Sequence, residues 1–282
     1  MHSERFVFAV VVAGMFGWFA PTATDDKPST RIKLPVRAWF EPQYLEKNPE
    51  LYKNMNMITS LTDANLAEKM AKRGVVPLKW CFGPTSEYSG GKADYYTQQC
   101  EPIVKDMKFR LAGVGIDEWN PSDKRYTKEK GLAADGYRAA RKKWPDNLMV
   151  CWVTEPDDDF ISLLRDGTFD LAIIEGYTFI PDVGGLTTEG IAKRCNKLKD
   201  AKLLDKTIVC FGYIAAMKDK MGRRMTYADL DTQVRQIKKQ FPEMPGVAFY
   251  GYKEHSPETL DLIQKADELS AELYPTAKSD KK

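Results

Sequence analysis

The chain has 282 residues, of which 43% are hydrophobic and 29% are charged, and 42 Lys and Arg nearly balance 40 Asp and Glu. This composition is typical of a globular protein and excludes disordered, collagen-like and coiled-coil chains. The net charge of +2 provides no general attraction to nucleic acid, which we do not expect as a partner. Only two histidines are present, His2 and His255, so a site built from several imidazoles is excluded. We therefore expect no metal and no other cofactor, and chemistry that depends on carboxylates and aromatic rings.

The N-terminal segment is typical of a secretory signal peptide. Its apolar run at 6–20 is at the upper limit for a signal core and short for a membrane span. The sequence predicts a signal peptide at 1–24, a linker at 25–31, one domain at 32–276 and a flexible tail at 277–282. We expect a secreted or periplasmic protein that has no membrane contact after signal removal. An uncleaved membrane anchor is the alternative, because no clear Ala-x-Ala cleavage site is present.

Short strand-like runs alternate with amphipathic helical stretches along the rest of the chain. Strands are predicted at 36–40, 75–82, 113–117, 148–153, 170–175, 207–213 and 246–252. Helices are predicted to begin at Thr62, Thr127, Thr226 and Ser256, whose side-chain oxygens can cap the first turn. The alternation implies parallel strands joined by right-handed crossovers, and this number of units favours an α/β fold of the (β/α)8 TIM-barrel type over an open sheet. We expect the missing eighth strand to be irregular and to lie within 42–60, or the barrel to be incomplete.

The cysteines follow neither a zinc pattern nor a dense disulfide framework. They are Cys81, Cys100, Cys151, Cys195 and Cys210. Export permits one disulfide, and Cys81–Cys100 and Cys195–Cys210 are the nearest pairs in sequence. Spacing alone does not decide between them, and the sequence makes no prediction of the oligomeric state.

Aromatic and polar side chains recur at the ends of the predicted strands, where the active site of a parallel barrel lies. The aromatic candidates for substrate binding are Trp39, Trp80, Trp119, Trp152, Tyr177, Tyr250 and Tyr252. The polar candidates are Glu41, Lys79 and His255. Flat rings stack on the C–H faces of sugars while carboxylates bond to sugar hydroxyls, so this pattern favours a carbohydrate partner. The alternative is that the rings only fill the mouth of the barrel.

The segment LAGVGIDEW at 111–119 carries two adjacent acids at a strand end. It resembles the fourth-strand signature of chitinase-like and endoglycosidase-like barrel glycoside hydrolases, which runs Asp-Gly-x-Asp-x-Asp-x-Glu. Gly113 and Asp117 match this pattern, whereas Gly115 stands where an Asp is expected and Glu118 arrives one residue early. The segment is also the third predicted strand. In those families the final Glu is the proton donor, so the resemblance implies that role for Glu118, with Asp117 assisting.

Glycoside hydrolysis needs two carboxyl groups, one of which carries a proton. We expect Glu118 to be the acid, with a pKa raised by Trp119 and by neighbouring carboxylates. Glu175 is the expected partner, because a carboxylate that follows an apolar run is costly to bury without a function or a cation. The alternative for Glu175 is a structural ion pair with Lys79 or Arg37.

These features predict a secreted glycoside hydrolase that cleaves a poly- or oligosaccharide with a pair of carboxylates. Two alternatives stay open. The first is a catalytically silent carbohydrate-binding barrel, which Gly115 favours because the resembled families have an acid there. The second is a lyase on the same fold, with Lys79 and Tyr177 as its reactive groups. The sugar, its linkage and the endo or exo mode are not predicted.

Overall fold

The computed structural model describes residues 32, 34–40, 45, 47–61, 64–84, 89–92, 94–102, 111–177, 187–214, 225–251 and 256–276. The strands are β1 (Val36–Phe40), β2 (Met57–Leu61), β3 (Val76–Phe82), β4 (Gly113–Trp119), β5 (Leu148–Val153), β6 (Leu171–Glu175), β7 (Thr207–Ile214) and β8 (Gly246–Gly251). The described helices are α1 (Ala64–Lys72), α2 (Tyr95–Gln99), α3 (Tyr126–Lys143), α4 (Asp158–Arg165), α5 (Thr188–Asp200), α6 (Tyr227–Gln240) and α7 (Pro257–Leu273). Short 3-10 helices span Pro49–Tyr52 and Leu204–Lys206.

The strands form one closed parallel barrel. Each strand pairs with the next in chain order, and β1 closes the ring against β8. The strand that the sequence left unassigned is β2, which begins inside the 42–60 segment and has an irregular register with β3. It makes β4 the fourth strand, as in the resembled signature. The (β/α)8 fold is therefore confirmed, and the incomplete barrel is not.

Alternation along the strands divides the buried side chains into two cores. One set fills the inside of the barrel, and it includes Val36, Ala38 and Phe40 of β1 with Leu148, Val150 and Trp152 of β5. The other set packs between the strands and the surrounding helices. Because successive side chains of a strand point to opposite faces, each strand contributes to both cores. Only side chains on the inner face at the carboxyl ends can therefore reach the mouth of the barrel.

Caps fix where the last two helices begin. Thr226 Oγ1 accepts a hydrogen bond from Asp229 N at 3.2 Å, and the Asp229 carboxylate accepts one from Thr226 N at 2.9 Å. Ser256 Oγ accepts from Thr259 N at 3.2 Å. Such caps satisfy backbone amides that the first helical turn leaves without partners, and the N-caps predicted at Thr226 and Ser256 are confirmed. The prediction for Thr127 is wrong, because α3 begins earlier, with Arg125 as its N-cap. Thr62 lies outside the described residues.

Within the described residues, no helix is long and apolar enough to cross a membrane. The predicted signal peptide at 1–24, the linker at 25–31 and the tail at 277–282 lie outside the described residues. Their assignments stay predictions.

Candidate active site

A β-bulge at the end of β4 places two adjacent acids at the barrel mouth. Ile116 and Trp119 both pack in the core beneath the helices, although a regular strand would put residues three apart on opposite faces. The register of β4 with β5 shifts between these two residues, and Glu118 has a φ of 64°. A bulge inserts one extra residue, so Asp117 and Glu118 together take the place of one.

Contacts from β3 and from the following loop hold this bulge. The Gly83 N–H donates to the Asp117 carbonyl oxygen at 2.6 Å, and a Cβ on Gly83 would lie 2.2 Å from the Glu118 carbonyl oxygen. Only glycine permits so close an approach. Asn120 Nδ2 donates to Glu118 Oε1 at 2.9 Å. A left-handed glutamate costs about 1 kcal/mol or more, and it persists only where surrounding contacts fix it.

Trp119 anchors the bulge from behind. Its Nε1 donates to Asp157 Oδ1 at 3.1 Å, and the Asp157 carboxylate also accepts a hydrogen bond from the Tyr126 hydroxyl. Asp157 is the N-cap of α4, and its side chain accepts from Phe160 N in the first turn of that helix. Trp119 is fully buried in the helical layer. The structure therefore does not place it at the rim, where we expected it, because the bulge returns the chain to the outer face after Glu118.

Glu175 reaches the mouth from β6. It continues the inward-facing series of Leu171 and Ile173 and stays partly exposed. Burial raises the pKa of Glu175 well above that of an ordinary glutamate, and the negative charges of Asp117 and then Glu118 raise it further. The three carboxyl groups therefore influence one another, and a proton is retained on Glu175 under conditions in which an isolated glutamate would be ionised.

Arg194 of α5 is a cation that contacts the strand end carrying Glu175. Its Nη1 donates to the Glu175 carbonyl oxygen at 2.8 Å, and its charge partly offsets the rise in the pKa of Glu175. The predicted cations lie elsewhere. Lys79 Nζ donates to the Gln99 carbonyl oxygen at 3.0 Å, and Arg37 Nη1 donates to the Tyr274 carbonyl oxygen at 3.4 Å.

Strand alternation separates the predicted aromatic and polar residues into two groups. Those associated with the inside of the barrel are Trp80, Trp152, Tyr177 and Tyr250. Those placed outside it are Trp39, which packs against Tyr52 and Phe249, with Trp119 and Lys79. The structure therefore does not bring Trp39, Trp119 or Lys79 to the mouth. Glu41, Tyr252 and His255 lie outside the described residues.

Four rings form a continuous surface inside the barrel, which we call the aromatic floor: Trp152, Phe40, Tyr250 and Tyr177. The ring centroids are 5.1 Å apart for Trp152 and Phe40, 4.8 Å for Phe40 and Tyr250, and 5.9 Å for Tyr250 and Tyr177. A Cβ on Gly212 would lie 2.0 Å from the Tyr177 ring, so this glycine lets the ring lie against β7. Sequence reasoning missed Phe40, although its even spacing from Val36 and Ala38 places it inside.

The Nε1 atom of Trp80, which packs against the same interior core, is buried and has no hydrogen-bond partner within the described part of the chain. Trp152 fills the space opposite Gly115, where an added Cβ would lie 3.2 Å from Thr59 Cβ and 3.4 Å from Trp152 Cζ3. The position of the missing family Asp is thus occupied by apolar contacts.

The described residues offer little for a metal ion. No group of three or more His, Cys, Asp or Glu among them has an arrangement that could hold one. An open surface groove of about 540 Å³ lies between α5 and α6, and its lining includes Thr188, Glu189 and Gln236. None of the predicted site residues lines this groove, so the acid cluster remains the candidate site.

Comparison with known proteins gives a result for the fold alone. No protein-family model matches the chain, and no curated protein matches it. The apo endo-β-N-acetylglucosaminidase of Cordyceps militaris matches with a TM-score of 0.56 and 12% identity, over 87% of this chain and 93% of that one. A fungal endo-β-N-acetylglucosaminidase of glycosyl hydrolase family 18 gives 0.59 and 12%, over 86% and 99%. Active domain 2 of a Pyrococcus furiosus chitinase gives 0.56 and 11%, over 86% and 96%. The shared feature is the barrel.

Proposed function

We propose that this protein is a glycoside hydrolase whose acid cluster consists of Asp117, Glu118 and Glu175. The observation that carries the proposal is the meeting of acids from β4 and β6 at one barrel mouth, with the pKa of Glu175 raised by burial and by the other two. Glycoside hydrolysis requires a protonated and an ionised carboxyl group that flank the glycosidic bond.

The electrostatics favour a division of roles that differs from the sequence-based expectation. Burial and then the neighbouring acids raise the pKa of Glu175, so we assign it the general acid role. Glu118 then serves as the base or the nucleophile, and Asp117 keeps the proton on Glu175 by like-charge repulsion. The Trp119 ring packs in the helical layer and not at the barrel mouth, where we expected it.

The aromatic floor supports a sugar as the substrate. Its partly exposed rings, Tyr177 and Tyr250, supply flat apolar faces on which a sugar can stack. Similar folds occur in an endo-β-N-acetylglucosaminidase complexed with fucosyl-N-acetylglucosamine-Asn and in a chitinase complexed with chito-oligosaccharides. We therefore propose a poly- or oligosaccharide as the substrate, and secretion of the protein to reach it, in line with the predicted signal peptide.

A catalytically silent carbohydrate-binding barrel is the second candidate. The observation that favours it is the apolar contact of Gly115 with Thr59 and Trp152, where the resembled families carry an acid. A lyase that uses Lys79 has less support, because Lys79 Nζ bonds to the Gln99 carbonyl oxygen on the outer face.

A glycan-release assay tests the proposal. Wild type, Glu175→Gln and Glu118→Gln are incubated with chito-oligosaccharides, N-glycopeptides, β-glucans, xylans and α-glucans, and products are measured by mass spectrometry. Glu68→Gln, an exposed change on α1, is the matched control. We expect product from wild type and from the control, with rates about 10²- to 10⁴-fold lower for the two site variants. Binding without product from any variant would support the silent barrel instead.

A further inference from the structure

Two of the five cysteines meet where β3 and α2 come together. Cys81 lies on β3 and Cys100 directly follows α2, and both are fully buried in the same hydrophobic core. Cys81 Sγ donates to the Gln99 carbonyl oxygen at 2.9 Å, and that carbonyl belongs to the peptide group that carries Cys100 N. The Cys81 thiol is close enough to raise the pKa of Cys100. Cys81 Sγ is therefore hydrogen-bonded to the peptide group that links Gln99 to Cys100.

The other pair that the sequence left open is divided by the barrel wall. Cys195 belongs to α5 and packs in the core beneath the helices, whereas Cys210 points from β7 into the barrel interior. A disulfide requires the two Cβ atoms to face each other at about 4 Å, which residues on opposite faces of a sheet do not satisfy. The structure thus separates the two candidates that spacing alone could not.

The neighbourhood of Cys81 and Cys100 is connected to the candidate site. Gln99 receives the Lys79 ammonium on its carbonyl oxygen at 3.0 Å, and its side-chain oxygen accepts from Phe82 N at 3.2 Å. Gly83, which follows Phe82, donates from its backbone N–H to the Asp117 carbonyl oxygen at the bulge. A covalent link between β3 and the end of α2 would therefore brace the wall that carries the acids.

We propose that Cys81 and Cys100 form a structural disulfide when the chain folds in an oxidising environment. The oxidant is a second disulfide, such as glutathione disulfide or a disulfide of an oxidoreductase. One protein thiolate attacks this disulfide and releases one thiol, and the other protein thiolate then displaces the second thiol. The two cysteines lose two electrons and two protons, and the oxidant is reduced to two thiols. This inference does not depend on the proposed function.

The exchange must take place during folding, before the thiols are buried. In the folded chain, the neighbouring Cys81 thiol and burial raise the pKa of Cys100 well above its ordinary value. The attacking species is the thiolate, so a buried pair with raised pKa reacts slowly once it is enclosed. The same burial protects the disulfide after it forms.

Refolding of the full chain from urea with reduced and oxidised glutathione tests the proposal. We expect the free thiols, counted in denaturant after an acid quench, to fall from five to three. Trypsin separates Cys81 and Cys100 into the peptides 80–92 and 93–105, which we expect to be joined before reduction. Reduction is expected to lower the Tm of the oxidised protein by about 5–10 °C, the usual effect of opening a loop of this size.

Matched variants separate this pair from the others. Cys195→Ser should still lose two thiols on oxidation, whereas Cys100→Ser should keep its four and show a Tm that reductant does not change. The peptide map of wild type decides the question even if Cys100→Ser fails to fold. Five thiols that persist after oxidation, or a link between any other two tryptic peptides, would overturn the proposal.

Discussion

Two acids with raised pKa values, Glu175 and Asp267, lie at opposite ends of the barrel. Glu175 closes β6 at the carboxyl end, whereas Asp267 of α7 contacts Asn54 and lies near Arg37 at the amino end. Burial is the largest cause of the shift at both positions, and it raises the pKa of Asp267 to about 6. Desolvation alone therefore does not distinguish the two ends.

The groups that surround each acid make the difference. Asp267 Oδ2 accepts from Asn54 N and from Asn54 Nδ2, both at 2.9 Å, and the charges of Arg37 and Lys53 favour its ionised form. Glu175 has the opposite environment, since Asp117 and Glu118 add negative charge to a site that burial already makes costly. An acid that its neighbours stabilise is structural, and one that its neighbours destabilise needs another reason to be there.

A pair of glycine substitutions tests whether the bulge creates this difference. Gly83→Ala places a Cβ 2.2 Å from the Glu118 carbonyl oxygen, and Gly246→Ala places one 1.9 Å from the Val36 carbonyl oxygen. Each should lower the free energy of unfolding by about 3 kcal/mol, measured by urea denaturation. The added Cβ meets a backbone carbonyl oxygen, so the main chain of the neighbouring strand has to move to accommodate it. Only Gly83→Ala should displace the acids beside Glu175.

The decisive readout is the pKa of Glu175, which is measured by carbon-detected NMR of its carboxyl group as the pH is varied. We expect Gly83→Ala to bring this pKa closer to that of an ordinary glutamate, because Asp117 and Glu118 move with the bulge. Gly246→Ala lies at the amino end and should leave it unchanged. An equal change in both variants would mean that the bulge has no specific influence on the acid cluster.

Asp267→Asn tests the structural end of the comparison. The folded pKa of about 6 lies above the ordinary value of 3.8, so the folded state binds the extra proton between these values. Stability from this group is present below pH 4 and is lost as the pH rises through 6, by at most about 3 kcal/mol. Asparagine keeps an acceptor for Asn54, so the variant should show a flatter dependence of unfolding free energy on pH between 4 and 7.

The control for that prediction lies on the same helix. Asp261 is exposed and pairs with Lys265 at 2.8 Å, so Asp261→Asn should retain the wild-type slope. Glycan release should be similar to wild type in both variants. A steep slope that persists in Asp267→Asn would show that another group controls stability in this pH range.

The sequence was sufficient to predict the barrel, because β-branched runs and helix caps mark most of the elements. It did not identify β2, whose segment Met57–Leu61 is short, contains Thr59 and Ser60, and pairs irregularly with β3. Because barrel sites lie at strand ends, the sequence was also sufficient to predict that Asp117, Glu118 and Glu175 lie together.

Other features of the site depend on packing that sequence patterns do not encode. Strict alternation could have assigned Trp39 to the outer face, since it is one residue from the inward Phe40. The bulge could not be foreseen, because glutamate is not a residue that favours positive φ. Arg194 is also unpredictable, since its approach to Glu175 depends on how α5 docks against β6.

The smallest expected effect separates function from stability at one position. Glu175→Gln removes a carboxyl group whose pKa is raised in the folded state, so the wild type loses stability from this group as the pH rises above the ordinary glutamate value. The variant should therefore be more stable than wild type at pH 8, by about 1 kcal/mol, and similar to it at pH 4. Urea denaturation at the two pH values measures the difference.

Glu155→Gln is the informative control, because hydrogen bonding to Lys197 lowers the pKa of Glu155. The ionised Glu155 carboxylate therefore favours the folded state at pH 8. Its substitution should not raise stability at pH 8. We expect Glu175→Gln to gain stability and to lose glycan release, a combination that neither Asp267→Asn nor Glu155→Gln should show. This result would identify Glu175 as an acid that is retained for catalysis. Loss of stability in Glu175→Gln at pH 8 would instead mean that the charge of Arg194 favours the ionised form of Glu175 more than burial and repulsion disfavour it. Glu175 would then be a structural acid, as Asp267 is.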